Sequence, residues 1–247
     1  MAFNKLFALS AVAIITGCNG NGTSRKSGIE ADLDSDSVLM DTSVYSKHTI
    51  EKEYIVLSPF TYITNLSSVN IAYKQGDYAI SACGDSATLS HLQCHFDSNL
   101  LTVNIASDNN SDYNYFGTTT NVWLTVSAPQ LECFSLCANG SFSTCGTVNA
   151  ENLEIGVLGT GSVLLDSISC SELKIHSSDM GKIHFNHIQA NDMSILSKAD
   201  ADINGDIEVK QLNIITKGKQ RITLTGKAES IYVHDKDDSN LQLSLNK

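Results

Sequence analysis

Three carboxylates near the C-terminal end of the chain could bind a cation or transfer protons. Asp200, Asp202 and Asp206 share one parity, opposite to that of Ile203 and Ile207, so a β-conformation would place them together on an outer face. Calcium prefers such oxygen ligands, but neither a calcium-loop consensus nor a nonapeptide repeat is present. A solvated acidic face is the favoured interpretation, and it extends to a second acidic group at Asp235, Asp237 and Asp238.

Two histidines and a group of aromatic residues are the next candidates for ligand contacts. His184 and His187 are an odd number of steps apart, which predicts opposite strand faces unless a turn intervenes, and therefore no shared metal. Tyr113, Tyr115 and Phe116 lie in the polar stretch 108–120, which is predicted to be a loop. Such residues could stack on a sugar, or they could simply cover the apolar core.

Cys18 is the residue with the most specific chemistry, because the four residues 15–18 (Ile-Thr-Gly-Cys) match a bacterial lipobox at every position. Lys5 is the only charge in the first 17 residues, and the apolar run of ten at 6–15 is too short to span a membrane. We expect residues 1–17 to be a cleaved signal peptide and Cys18 to carry acyl chains such as palmitate. Asn19 follows Cys18 in place of a retention aspartate, which favours the outer membrane and leaves open the surface or periplasmic side.

Six further cysteines remain in the exported chain: Cys83, Cys94, Cys133, Cys137, Cys145 and Cys170. An even number in an exported protein predicts disulfides, and we expect at least one bond within 133–170. Buried free thiols that pack as small apolar side chains are the alternative. The spacing does not match a zinc site, and no motif supplies a base for a cysteine nucleophile. No cofactor, metal or catalytic residue is predicted.

The charge balance excludes two classes of partner. The chain has 16 basic and 27 acidic residues, a formal net charge of −11. Loss of Lys5 with the signal peptide would make this −12, because 15 basic residues would then face the same 27 acidic ones. Nucleic acid and anionic lipid surfaces both require clustered Lys and Arg. The predicted membrane attachment therefore depends on the lipid of Cys18.

The rest of the chain divides into a tether and one long domain. Residues 18–47 are rich in Asn, Gly, Ser, Thr and Asp, which is typical of a flexible tether with a reach of roughly 30 Å. Residues 48–247 are predicted to be one all-β domain, with no convincing amphipathic helix. The first strands are predicted at 54–57, 68–73, 78–82, 101–105 and 122–126, with turns at 75–77 and 84–86.

One short phrase recurs along the C-terminal half, at 153–155, 173–175, 193–195, 212–214 and 231–233, with spacings of 20, 20, 19 and 19 residues. A second phrase keeps step with it, at 163–165, 183–185, 203–205, 222–224 and 241–243. Apolar residues alternate within each phrase, which indicates strands. We therefore predict a parallel β-solenoid with coils of about 20 residues, in which Leu173, Met193 and Leu212 stack in one buried column.

Several short motifs, in order, resemble the head GIN domain family of adhesin-type proteins. They are Ser58-Pro59-Phe60, Val69-Asn70-Ile71, Gln75-Gly76-Asp77-Tyr78, Gly84-Asp85, Leu100-Leu101-Thr102-Val103, residues 126–131 and Gly159-Thr160-Gly161-Ser162. The resemblance covers roughly residues 50–245. It implies a secreted lipoprotein with a right-handed β-helical fold, and it carries no catalytic residues over to this chain. Later turns depart from the Gly-x-Gly theme, and the six cysteines are not part of the family pattern.

Three classes of function are compatible with these observations. The leading one is a lipid-anchored, non-enzymatic, adhesin-like module that presents stacked strand faces to a glycan or protein. The second is a polysaccharide-active enzyme that uses the outward carboxylates, although no basic residue lies beside them. The third is a structural component of the cell envelope. The sequence does not separate the first class from the third.

Overall fold

A computed structural model describes residues 49–106, 121–235 and 239–246. The predicted signal peptide, Cys18 and the tether lie outside the described residues, as do Tyr113, Tyr115, Phe116, Asp237 and Asp238. The described strands are β1 (Thr49–Tyr54), β2 (Tyr62–Asn65), β3 (Asn70–Gln75), β4 (Ala79–Asp85), β5 (Leu92–Asp97), β6 (Leu100–Ile105), β7 (Trp123–Ala128), β8 (Cys133–Leu136), β9 (Ser141–Thr144), β10 (Thr147–Val157), β11 (Ser162–Ser177), β12 (Lys182–Lys198), β13 (Asp202–Lys217), β14 (Arg221–Asp235) and β15 (Asn240–Asn246). One helix, α1 (Ser86–His91), accompanies them in this part of the chain.

The C-terminal half is a parallel β-solenoid, as the repeat predicts. Strands β10 to β15 each pair in parallel with the next along the chain. Leu173 pairs with Met193, and Met193 pairs with Leu212, so the predicted column is confirmed. The second predicted column is also in register, and it runs through Val163, Ile183, Ile203, Ile222 and Leu241.

The interior of the solenoid is dry because the alternating apolar residues all point into it. Leu173, Met193 and Leu212 are at most 1% exposed, and Ile175 and Ile195 beside them are equally buried. Each aliphatic side chain so buried stabilises the fold by about 1.5–3 kcal/mol before chain entropy is subtracted. Each coil makes these contacts only with the adjacent coil on each side, so the stability of one coil depends on its neighbours.

The coil length changes from 20 to 19 residues at one corner. The register between β12 and β13 shifts between Phe185 and Ile188, where two residues of β12 face one residue of β13. Phe185 pairs with Gly205 and Ile188 pairs with Ile207, so the inward positions on both sides of the corner stay aligned. The lost residue is therefore an outward one, which explains how the spacing changes without disturbing the core.

The N-terminal coils do not follow the order of the chain. In the sheet, β2 lies between β6 and β8, and β3 lies between β7 and β9. The coil formed by β2 and β3 is therefore inserted between two coils that are made later in the sequence. Strands β1, β4 and β5 pair antiparallel with their neighbours, so the predicted β-solenoid carries an antiparallel addition at this end. The chain reverses there, and α1 makes part of the return.

Local differences from the predicted strands are small and have identifiable causes. The segment 54–57 is predicted as a strand, but β1 ends at Tyr54, and Ile55 and Leu57 are 82% and 76% exposed. The predicted turn at 84–86 is instead the start of α1, because the carboxylate of Asp85 accepts a hydrogen bond of 2.8 Å from the backbone N–H of Thr88. This N-cap starts a helix of one and a half turns that buries Leu89.

Candidate binding surface

The three predicted outward carboxylates do face outward, but they lie apart in different pairings. Asp200 is exposed in the turn between β12 and β13. A carboxylate oxygen of Asp202 lies 3.5 Å from the guanidinium of Arg221 in the next coil. Asp206 instead contacts His187, with 2.8 Å between its Oδ2 and the ring Nδ1. Asp235, the described member of the second group, accepts a hydrogen bond of 2.8 Å from the Thr216 hydroxyl. These separate partners favour the interpretation as a solvated face.

His184 and His187 both point away from the core, so the opposite faces predicted for an uninterrupted strand are not observed. The cause is the corner, where Asn186 and His187 are two successive outward residues between buried Phe185 and Ile188. This register shift within β12 breaks the alternation, as a turn would have done in the exception that the parity argument allowed.

A polar ladder runs along this corner across successive coils, and we call it the corner cluster. Its members are Asp166, His184, Asn186, His187, Asn204, Asp206 and Thr225. The amide of Asn186 donates to Asp166 over 3.2 Å, and the Thr225 hydroxyl donates to Asp206 over 3.2 Å. His184 contacts the side chain of Asn204 on the next coil. The cluster pairs its own polar groups across coils.

The corner cluster was missed as a unit by the sequence reasoning, although its signal was present. Asp166, Asn186 and Asp206 recur at 20-residue intervals at equivalent corner positions. Of these three residues, only Asp206 is among the candidates that the sequence identifies, and its relation to the other two follows from the period. Among the described residues, no group of three or more His, Cys, Asp or Glu is placed to hold a metal ion.

No disulfide joins the six described cysteines, so the predicted disulfide within 133–170 is absent from this structure. The alternative interpretation, thiols packed as small apolar groups, is the one observed. Burial raises the pKa of Cys94 to about 12, with Lys52 acting in the opposite direction. Burial likewise raises the pKa values of Cys137 and Cys170 to about 11. These groups are therefore protonated and weakly nucleophilic at neutral pH.

The outer side of successive parallel runs is a regular surface, which we call the candidate face. It consists of the outward residues of the segments 133–137, 154–158, 174–178, 194–198 and 213–217. Neighbouring runs lie about 4.8 Å apart, so equivalent outward side chains form columns across the coils. One column contains Ser135, Gly156, His176, Leu196 and Ile215.

His176 lies near the middle of the candidate face and is neutral at physiological pH. Burial lowers its pKa; Glu154 opposes this shift, while Lys174 and Lys198 add to it. Its Nε2 lies 3.4 Å from a carboxylate oxygen of Glu154. The face thus combines a neutral imidazole, a carboxylate and ammonium groups on a rigid sheet. Such a surface can recognise a ligand by shape and hydrogen bonding.

A family model described as "Putative auto-transporter adhesin, head GIN domain" matches residues 59–186, just over half of the 247-residue chain. The chain belongs to this family. The resemblance that the sequence motifs carry is thereby confirmed, and the head GIN domain match extends from the inserted N-terminal coil into β12. No curated protein matches the chain in sequence.

Solved structures share the fold of this head GIN domain protein. A "putative adhesin" from Bacteroides fragilis has a TM-score of 0.58 and 17% sequence identity, over 81% of this chain and 98% of that one. A "putative adhesin" from Parabacteroides merdae has a TM-score of 0.52 and 15% identity, over 81% and 97% of the two chains. A third, from Parabacteroides distasonis, has a TM-score of 0.50 and 13% identity, over 80% and 94%. At these identities the likeness shows the solenoid fold. Among the described residues of this chain, no helix is long and apolar enough to cross a membrane.

Proposed function

We propose that this protein is a lipid-anchored binding or display module of the cell envelope that works without catalysis. Its stacked strand faces would present repeated contacts to an extended glycan or to a protein partner. The observation that carries the proposal is the candidate face, where regular parallel runs place columns of dissimilar side chains on a rigid surface. The adhesin description of the head GIN domain family supports it.

The mechanism would be geometric, since the coils fix the spacing of the contacts before any ligand arrives. Neighbouring runs are held about 4.8 Å apart by the ladder of backbone hydrogen bonds. Their inward residues are locked in a dry core, so little ordering entropy is lost on binding. A ligand that repeats along its length could contact several coils at once, and its weak individual contacts would add up.

Anchoring would come from Cys18 in the lipobox 15–18, followed by the tether of residues 18–47. One acyl chain binds membranes only marginally, whereas several chains on one cysteine give stable attachment. Asn19 supports residence in the outer membrane. A Cys18→Ser variant should move from the membrane fraction to the soluble exported fraction. A variant that stays in the membrane fraction would contradict lipid anchoring while leaving the binding role open.

A glycan and protein array, read with and without calcium, tests the binding role. Saturable binding without any product supports it, whereas depolymerised glycan would assign the protein to polysaccharide-active enzymes. Silence on the whole array would favour a structural role. Replacing Asp200, Asp202 and Asp206 together by Asn should leave glycan binding intact, because these carboxylates lie apart from the candidate face and from one another. Loss of binding in this variant would instead implicate the carboxylates.

A further inference from the structure

The C-terminal end of the solenoid leaves part of its apolar interior uncovered. Ile231 pairs in register with Leu212, which is 1% exposed, yet Ile231 itself is 40% exposed. Val233, two residues further on, is 42% exposed. The leucines of β15 pack against the core but are only partly buried, namely Leu241, Leu243 and Leu245. The last coil of a solenoid needs a cover over its apolar end, and among the described residues no strand lies beyond β15.

The backbone of β15 is also an open strand edge. Its only described neighbour is β14, with which it pairs in parallel. The N–H of Asn240 donates to the carbonyl of Gln220, on the β14 side. Successive residues of a strand direct their N–H and C=O groups to opposite sides, so those of the alternate residues face away from β14. These alternate residues are the three leucines, Leu241, Leu243 and Leu245.

Two other described strands, β1 and β5, have a single neighbour, and both carry charge. β1 contains Glu51, Lys52 and Glu53. β5 ends at Asp97. Charged side chains on an edge strand discourage pairing with another chain. β15, by contrast, runs from Asn240 to Asn246 without a charged residue, so it is the edge that is least protected from pairing.

The sequence of β15 reads almost identically in both directions, as Asn-Leu-Gln-Leu-Ser-Leu-Asn with Leu243 at its centre. A two-fold axis through Leu243 therefore places nearly every residue opposite its own kind in a second copy. The opposed pairs are Asn240 with Asn246, Leu241 with Leu245, Gln242 with Ser244, and Leu243 with Leu243. An isologous interface requires this self-complementarity, because each contact of residue i with residue j occurs again as j with i.

We propose that two copies of this chain form a two-fold dimer by pairing their β15 strands antiparallel, in the register centred on Leu243. The leucines then form the directly hydrogen-bonded pairs, with about six backbone hydrogen bonds in total, two for each pair. The leucine side chains of both copies lie on the inner side of the joined sheet, so the two apolar interiors meet end to end. Gln242 and Ser244 form the other pairs, in which opposed side chains are closest.

Charge and sequence favour a second copy over a different protein at this edge. A chain with a formal net charge of −11 repels a second copy of itself over most of its surface. The edge of β15 is neutral from Asn240 to Asn246, so pairing there brings no like charges into direct contact. A strand of an unrelated protein could use the same backbone groups, but it would not require β15 to match itself in reverse.

The dimer is expected to be weak, because one strand from each chain supplies its contacts. We expect a dissociation constant of about 10–100 µM, at the low end for specific interfaces. At the concentration of about 1 µM that optical unfolding experiments use, the chain is then a monomer. Anchoring on one membrane, as proposed above, would raise the local concentration and populate the dimer. The pairing itself does not depend on the anchor or on a ligand.

Sedimentation equilibrium of the soluble Cys18→Ser chain, from about 1 to 200 µM, tests the dimer and its register. The double variant Gln242→Glu/Ser244→Glu opposes carboxylates at two places and should weaken the dimer at least tenfold. Gln242→Lys/Ser244→Glu opposes a lysine to a glutamate at both places, so it should dimerise at least as tightly as the parent chain, most clearly at low salt. A register centred on residue 242 would instead oppose lysine to lysine.

The matched control places the same charges on another edge strand. Gln93 and His95 are exposed residues of β5 with the same spacing as Gln242 and Ser244. The double variant Gln93→Glu/His95→Glu should leave the dissociation constant of the dimer unchanged. Circular dichroism should show that each variant keeps the β-sheet spectrum of the parent chain, because all four positions are outward and exposed.

Hydrogen exchange identifies what covers the edge. The amides of Leu241, Leu243 and Leu245 should become protected as the concentration passes the dissociation constant, and they should stay unprotected in Gln242→Glu/Ser244→Glu. A chain that is monomeric up to about 200 µM overturns the proposal, as does a dimer that survives the two glutamates or is lost with the lysine–glutamate pair. Protection of these amides in a monomer would assign the edge to another segment of the same chain and would also overturn it.

Discussion

Replacing Ile195 by alanine measures how much one residue of a buried column contributes to the free energy of unfolding. Ile195 is 1% exposed and is stacked between Ile175 and Ile214, both completely buried. The substitution removes three carbon groups, which corresponds to about 2.4 kcal/mol of transfer free energy at about 0.8 kcal/mol each. The two neighbours are held by their own strands and cannot close the gap, so a cavity term brings the expected loss to about 3–4 kcal/mol.

A residue in the last described coil should contribute less, and Leu243 provides this comparison. Leu243 in β15 is only partly buried and has a described paired strand on one side only, β14. Leu243→Ala should therefore cost about 1 kcal/mol, because part of the side chain already contacts solvent and no closed cavity forms. Ser194→Ala, an outward change beside Ile195, should stay within about 0.5 kcal/mol. Urea denaturation followed by circular dichroism gives the free energies of unfolding. Equal losses for Ile195→Ala and Leu243→Ala would refute the stacked-column account.

Three further predictions concern Gly226, Tyr73 and His176. Gly226 has a φ of +109°, and a Cβ there would overlap the carbonyl oxygen of Ile207, so Gly226→Ala should cost at least about 2 kcal/mol in a urea titration. Tyr73 donates a hydrogen bond of 2.9 Å to the Ala128 carbonyl, and burial, with a smaller contribution from Tyr78, raises its pKa. The folded state therefore holds this proton after the unfolded chain has lost it, and stability should fall as pH rises above about 10. Tyr73→Phe should reduce that alkaline loss while costing about 1 kcal/mol at neutral pH. Burial lowers the pKa of His176, so its effect on stability has the opposite pH dependence. The stability that the neutral ring contributes is present above about pH 6.5 and is lost as pH falls towards the pKa of the folded state. His176→Asn should flatten the acid side of the stability profile, and an unchanged profile would contradict the assignment.

The C-terminal coils could be predicted from the sequence because every coil places an apolar residue at the same inward positions. Leu153, Leu173 and Met193 recur at a fixed spacing, and the residues beside them alternate, so period and conformation are determined together. The same rule fails at the N-terminal end. There the coil of β2 and β3 lies between coils made later, and alternation within a strand says nothing about which strand lies next to it.

The corner shows where a parity argument stops working. Counting along an unbroken strand puts His184 and His187 on opposite sides, but the strand bends between Phe185 and Ile188. The information was present in the change of spacing from 20 to 19, because a repeat can lose a residue without harming its core only at an outward position. The shortening leaves Asp206 as the single outward residue opposite Asn186 and His187, and it lies within 2.8 Å of the His187 ring.

The outward residues of the candidate face are less constrained by the fold than the residues of the buried columns. An inward position must be apolar to keep the core dry, so its identity can be predicted from the period alone. An outward position is free to vary, and a binding surface there is visible only as a residue that the fold does not require. Gly156 is such a residue, since it lies in a regular strand with ordinary pairing on both sides and serves no turn. Ser135 beside it is another, since it is an outward but buried residue whose hydroxyl has no hydrogen-bond partner within the described part of the chain. The two residues adjoin each other in register, so both departures lie on one patch of the candidate face.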